Sequence, residues 1–89
     1  MKSRRTRGFR EAFEALPRRV QKQARAAYRL FKQDASHPGL DFKPVDAESR
    51  IYSVRIGRHY RALGVWRGDS IVWFWIGSHA EYDKFISRW

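Results

Sequence analysis

Residues 52 to 76 constrain the fold of this chain more than any other stretch. Tyr52, Val54 and Ile56 alternate with Ser53 and Arg55, the period of two that buries one face of a strand. Gly57-Arg58-His59 follows as a tight connection, with Gly57 where a positive φ is needed. The next strand runs from Tyr60 to Trp66, with Tyr60, Ala62, Gly64 and Trp66 on one face and Arg61, Leu63 and Val65 on the other. Arg67-Gly68-Asp69-Ser70 is turn chemistry; its Arg-Gly-Asp tripeptide reads as a hairpin rather than an adhesion signal. Ile71 to Ile76 is apolar on both faces, which predicts the central strand, covered on both sides. Gly77-Ser78-His79 then leaves the sheet. Arg55, Arg61 and His79 thus fall on, or at the ends of, neighbouring strands, and a cation-rich cleft is expected there.

The rest of the chain reads as support. Residues 1 to 8 hold almost no apolar side chains and leave two options open, a short edge strand or a disordered arm. Phe9, Ala12, Phe13 and Leu16 fall on one helical face, with Glu11 and Glu14 outward. Pro17 ends that helix and suits the first turn of another. The second helix runs from about Pro17 to Gln33, with Val20, Ala24, Ala27 and Phe31 as its apolar stripe, widened by Tyr28 and Leu30. Its other side is basic: Arg18, Arg19, Lys22, Arg25, Arg29 and Lys32. That pattern suits a solvated face, an electrostatic track for phosphates, or both. A connection of about fifteen residues, Asp34 to Glu48, carries His37-Pro38-Gly39-Leu40 and Lys43-Pro44, with Leu40 and Phe42 expected to pin it to the core. Ser78 and Glu81 have the spacing of a capping box for a last helix over Ala80 to Ser87, with Tyr82, Phe85, Ile86 and Trp89 free to pack. The order is (β)ααβββα. The expected class is α+β: one domain over residues 1–89, an antiparallel sheet with two N-terminal helices on one face, and a short C-terminal helix.

Charge narrows the function. Nineteen Lys+Arg stand against nine Asp+Glu, giving a net charge of +10, a pI near 10.9 and a mean hydropathy of −0.71. In so small a domain that field favours a polyanionic partner, nucleic acid first and an acidic protein second. With no cysteine, disulfides and thiolate metal sites are excluded. No apolar run reaches the ~18 residues of a membrane span, and the basic N-terminus has no apolar stretch behind it, so a cytoplasmic protein is expected.

The chain resembles the RelE/ParE superfamily of toxins from bacterial and archaeal toxin–antitoxin modules. The resemblance covers nearly its whole length. It rests on Phe9…Leu16-Pro17 before a long basic helix, on His37-Pro38-Gly39-Leu40…Phe42-Lys43, on Tyr52-Ser53-Val54-Arg55-Ile56-Gly57…Tyr60-Arg61-Ala62-Leu63, and on Trp75-Ile76-Gly77-Ser78-His79-Ala80-Glu81-Tyr82. The resemblance implies a RelE-like fold and a small basic ribonuclease that cuts mRNA in the ribosomal A site, with mRNA, the ribosome and its 16S rRNA, and a cognate antitoxin as partners. The ParE-like branch instead acts on DNA gyrase. The chain departs from the family pattern at a usually apolar first strand, here Ser-Arg-Arg-Thr-Arg, and at position 64, here Gly where relatives often carry a bulky residue.

RNA is cut when its own 2′-OH attacks the adjacent phosphorus, given a base, an acid for the departing 5′-oxygen, and cations for the growing phosphate charge. The sequence offers neither cysteines nor an acidic cluster for a metal, so metal-free chemistry without a cofactor is expected. His79 stands where similar family members carry a catalytic histidine and is the candidate general acid; an imidazole titrates near ~6.5 in water and suits that role. Arg61 matches the family's strand arginine, and its planar fork suits a phosphate. Arg55 occupies a position usually basic in the family. His59 is a candidate base, with Glu48 the alternative, and Asp83 is placed to orient His79. Arg18, Arg25, Arg29, Lys43, Arg58 and Tyr82 are the candidate RNA-binding residues. Trp66, Trp73, Trp75 and Trp89 could form a base-stacking platform, but core burial is the usual fate of strand tryptophans. Three functions compete: a ribosome-dependent mRNA endonuclease, a gyrase poison for which His79 is dispensable, and an RNA-binding module that neither cuts nor stops growth.

Overall fold

In the computed structural model, which describes residues 2 to 88, the alternating stretch forms three antiparallel strands: β3 (Ile51–Ile56), β4 (Tyr60–Arg67) and β5 (Ser70–Ser78). Before them come β1 (Lys2–Arg5), α1 (Arg7–Glu14), α2 (Arg18–Gln33), a 3₁₀ turn (Pro38–Leu40) and β2 (Lys43–Pro44); α3 (His79–Ser87) follows them. The sheet order is β1-β5-β4-β3-β2, antiparallel except for β1, which pairs parallel to β5. The middle strand is therefore β4, not the apolar 71–76 run. That run is still interior to the sheet and contacted by helices, because β1 closes its outer edge. The polar N-terminal segment forms a strand because pairing needs only main-chain groups, and Ser3 Oγ accepts a bond from Trp73 Nε1 at 3.0 Å. Trp89 lies outside the described residues.

The core lies between one sheet face and the two N-terminal helices. Val54, Ile56, Ala62, Ile71, Trp73 and Ile76 meet Phe9, Ala24 and Phe31, with Leu40 of the 3₁₀ turn among them. Burying each large apolar side chain stabilises the fold by about 1.5–3 kcal/mol, so Phe9 seats α1, and Val20 and Phe31 seat the otherwise basic α2. Gln21 joins those helices: its Nε2 donates to the carbonyls of Phe13, Glu14 and Leu16 at 3.2, 3.2 and 3.0 Å, satisfying groups that a helix end leaves bare. No helix among the described residues is long and apolar enough to cross a membrane.

A β-bulge positions the other face. Leu63 pairs with Trp75 but Gly64 pairs with Trp73, leaving Phe74 as the extra residue. The side-chain alternation of β5 therefore slips by one. Trp73 and Ile76 both enter the core, while Trp75 turns to the opposite face and meets Tyr82 and Phe85 of α3 at ring separations of 6.5 and 5.7 Å.

α3 begins at His79, one residue earlier than the sequence predicts, and its start is closed by the full capping box: Ser78 Oγ accepts from Glu81 N at 3.1 Å and Glu81 Oε1 accepts from Ser78 N at 2.9 Å. The Ser78 backbone N–H, then its hydroxyl, hold the Glu81 carboxyl below its ordinary value. Ser78→Ala should cost about 1 kcal/mol, read as a lowered thermal midpoint. Because the folded carboxyl titrates below the unfolded one, its contribution is complete above the ordinary Glu range and fades as pH falls through the depressed value.

Candidate active site

The face away from α1 and α2 carries the candidate catalytic residues. Arg55 of β3 is the direct partner of Arg61 of β4, and Arg61 that of Gly77 of β5, so the two arginines project from the same face. A Cβ on Gly77 would stand 2.7 Å from Trp75 Cζ2, so glycine lets that indole fold back over the strand. Two residues on, α3 begins with His79, whose N–H donates to the carbonyl of His59 at 2.6 Å. That bond ties the β3–β4 hairpin, where Gly57 has a φ of 59°, to the start of α3.

Tyr82 links the arginine and the histidine. It is buried, its ring lies 5.9 Å from the His79 ring, and the Arg61 guanidinium sits 5.3 Å from its centroid. His79 is 53% exposed, and its Nε2 stands 3.6 Å from Asp83 Oδ1, the neighbour expected to orient it. Arg55 is exposed, with its Nε donating to the Gly39 carbonyl at 3.3 Å. Arg58 and His59 are exposed on the hairpin, and Lys43 is exposed on β2.

Arg61 differs from a free phosphate clamp. It is only 4% exposed. Nη1 donates to Asp41 Oδ2 at 3.2 Å, and Nη2 donates to the Asp41 carbonyl at 3.2 Å and to Ser53 Oγ at 2.8 Å. Its Nε is buried without a hydrogen-bond partner among the described residues. Burial raises the Asp41 carboxyl, but Lys43 and Arg61 outweigh it and hold the group below the usual carboxylate range. Asp41 and Ser53 are not among the candidates that sequence reasoning singles out. The available signal is stoichiometric: a strand arginine flanked by Ala62 and Tyr60 needs a carboxylate, and the chain has only nine.

Other candidates lie elsewhere. Arg18, Arg25 and Arg29 sit on α2, across the sheet from His79; Arg25 and Arg29, with Arg5, line an apolar cavity of about 370 Å³ between the helices and the sheet. Glu48 lies ahead of β3, at the opposite end of that strand from Arg55, in a turn closed by Asp46 Oδ1 accepting from its N–H at 3.0 Å. Trp73 is core, and Trp66 and Trp75 are half-buried against Tyr52 and Tyr82. His37 is an exposed loop residue whose Nδ1 accepts from Gly39 N at 3.0 Å, capping the 3₁₀ turn. Among the described residues, no group of three His, Asp or Glu side chains stands ready to hold a metal ion.

Residues 18–84 match the family model of the ParE-like toxin domain. The fold is similar to that of the RelB–RelE antitoxin–toxin complex from Methanococcus jannaschii, with a TM-score of 0.73 at 17% identity over 92% of this chain and 96% of that one. It is also similar to YafQ from E. coli, with a TM-score of 0.71 at 7% identity over 91% and 96% of the two chains. The RelBE2 toxin–antitoxin complex from Mycobacterium tuberculosis gives 0.60 at 26% identity over 88% and 96%. No curated protein sequence matches the chain.

Proposed function

We propose that this chain, which belongs to the ParE-like toxin domain family and is the toxin of a toxin–antitoxin system, acts as a ribosome-dependent mRNA endonuclease. One observation carries the reading: Arg55 and Arg61 share a sheet face, and the Arg61 guanidinium and the His79 ring both lie against the ring of Tyr82. In the proposed reaction the 2′-OH loses its proton to a base, for which His59 is the candidate. The 2′-oxygen bonds to phosphorus, and the bond to the 5′-oxygen breaks. His79 gives that oxygen its proton, leaving a 2′,3′-cyclic phosphate and a 5′-hydroxyl. Arg55, exposed and half-anchored by Gly39, faces the phosphate oxygens as their charge grows. Arg58 and Lys43 extend the positive surface along the message, and Arg18, Arg25 and Arg29 offer a second one to ribosomal RNA. The partner that silences the protein is an antitoxin with an acidic segment, a reading supported by the +10 charge and by similar folds solved as toxin–antitoxin complexes.

The test is to induce the chain without its antitoxin and map mRNA ends by primer extension. Discrete new ends within translated codons, absent when translation is blocked at initiation, are expected. Intact mRNA together with cleaved gyrase–DNA complexes would overturn the reading.

A further inference from the structure

Two cations converge on a single oxygen of Asp41. Arg61 Nη1 stands 3.2 Å from Oδ2 and Lys43 Nζ stands 3.4 Å from the same atom. An anionic oxygen between a guanidinium and an ammonium is the arrangement that binds a phosphate. Here a carboxylate of the chain itself fills it. We infer that the Arg61–Lys43 pair is a phosphate subsite for RNA and that Asp41 is its internal plug, displaced when a phosphate enters. This rests on the reading that RNA reaches this face, though not on its being cut.

The anchoring of Arg61 makes displacement possible without unfolding. Its Nη2 is held by the Asp41 carbonyl and by Ser53 Oγ, a side chain with no solvent exposure. Only Nη1 depends on the Asp41 side chain. Rotation of that side chain therefore frees Nη1 and Lys43 Nζ while the guanidinium stays fixed under Tyr82. The outer side is open: the Asp41 and Lys43 side chains are 41% and 58% exposed. The backbone at Asp41 is itself unusual, with φ 45° and ψ 45°, a left-handed conformation that Gly, Asn and Asp tolerate best. Leu40, only 1% exposed, anchors the turn from one side, so Asp41 is held at the mouth of the subsite.

The probe is a fluorescent single-stranded 2′-O-methyl RNA, which cannot be cut, titrated with the purified chain at several salt concentrations. Asp41→Asn and Asp41→Gly both suit the backbone; each should bind on the order of tenfold more tightly, the scale of one charge-assisted contact. Glu14→Gln removes the same charge from α1 and should gain far less. Lys43→Met in the Asp41→Asn background should erase most of the gain. Equal binding by the Asp41 and Glu14 variants would reduce Asp41 to a surface charge and overturn the inference. Unfolding of both the Asn and Gly variants would make Asp41 a structural strut and overturn it equally. A parent protein that binds this probe but leaves ribosomal mRNA whole would sink the nuclease reading and leave the plug intact.

Discussion

A His79→Ala protein should melt as the parent does and lose mRNA cleavage by roughly 10²–10⁴, the contribution of one well-placed general acid. The fold should survive because His79 is the first residue of α3 and more than half of its side chain is in solvent. The capping box belongs to Ser78 and Glu81, so the helix start does not depend on the imidazole. Single-turnover cleavage on programmed ribosomes, beside a thermal melt, separates the two effects. If His79 protonates the leaving 5′-oxygen, a substrate with sulfur at that position needs no acid and should recover most of the lost rate. Cleavage undiminished in His79→Ala would retire the assignment. A rate lost for both leaving atoms would move His79 from proton donor to another role.

Gly64→Ala should be among the most destabilising single-methyl changes in the chain, at about 1–3 kcal/mol. A Cβ there would stand 2.7 Å from Trp73 Cε3 and 2.9 Å from Ile71 Cγ1, closer than real atoms approach. Neither neighbour can retreat. Ile71 is fully buried, and Trp73 is 4% exposed with its indole N–H tied to Ser3. The space that a side chain at 64 would take is thus filled from the neighbouring strand by Trp73 and Ile71. A urea-denaturation cycle with Gly64→Ala, Trp73→Leu and the pair should show the double variant more stable than the sum of the single losses. Additive losses would mean that the two positions do not share the space.

What can be read from residues alone is what depends on period and punctuation. The three hairpin strands, both N-terminal helices, the Ser78 cap and the turn at Gly57 all follow from local spacing, and the structure places them there. What escapes depends on pairing between distant segments. Hydrophobicity points to 71–76 as the middle strand, but the position in a sheet is set by what pairs at each edge, and β1 is too polar to announce itself. The bulge at Leu63–Gly64 is invisible because alternation in an all-apolar run gives no parity to break. The candidate site divides the same way. Arg55, Arg61 and His79 are legible as strand and strand-end positions, whereas the burial of Arg61 is not. Its partner Asp41 is twenty residues away in a left-handed turn, and no local pattern joins them.

The parallel docking of β1 on β5 also governs when the molecule can exist during its own synthesis. Lys2 aligns with Ser70 and Arg5 with Trp73, so the earliest strand to emerge has no partner until most of the chain has been translated. Such long-range closure makes folding late and slow. The histidine proposed as general acid follows β5 in the chain. A nascent polypeptide therefore has no closed sheet until most of its length has been made, and a chain broken off before β5 is complete lacks both that sheet and His79.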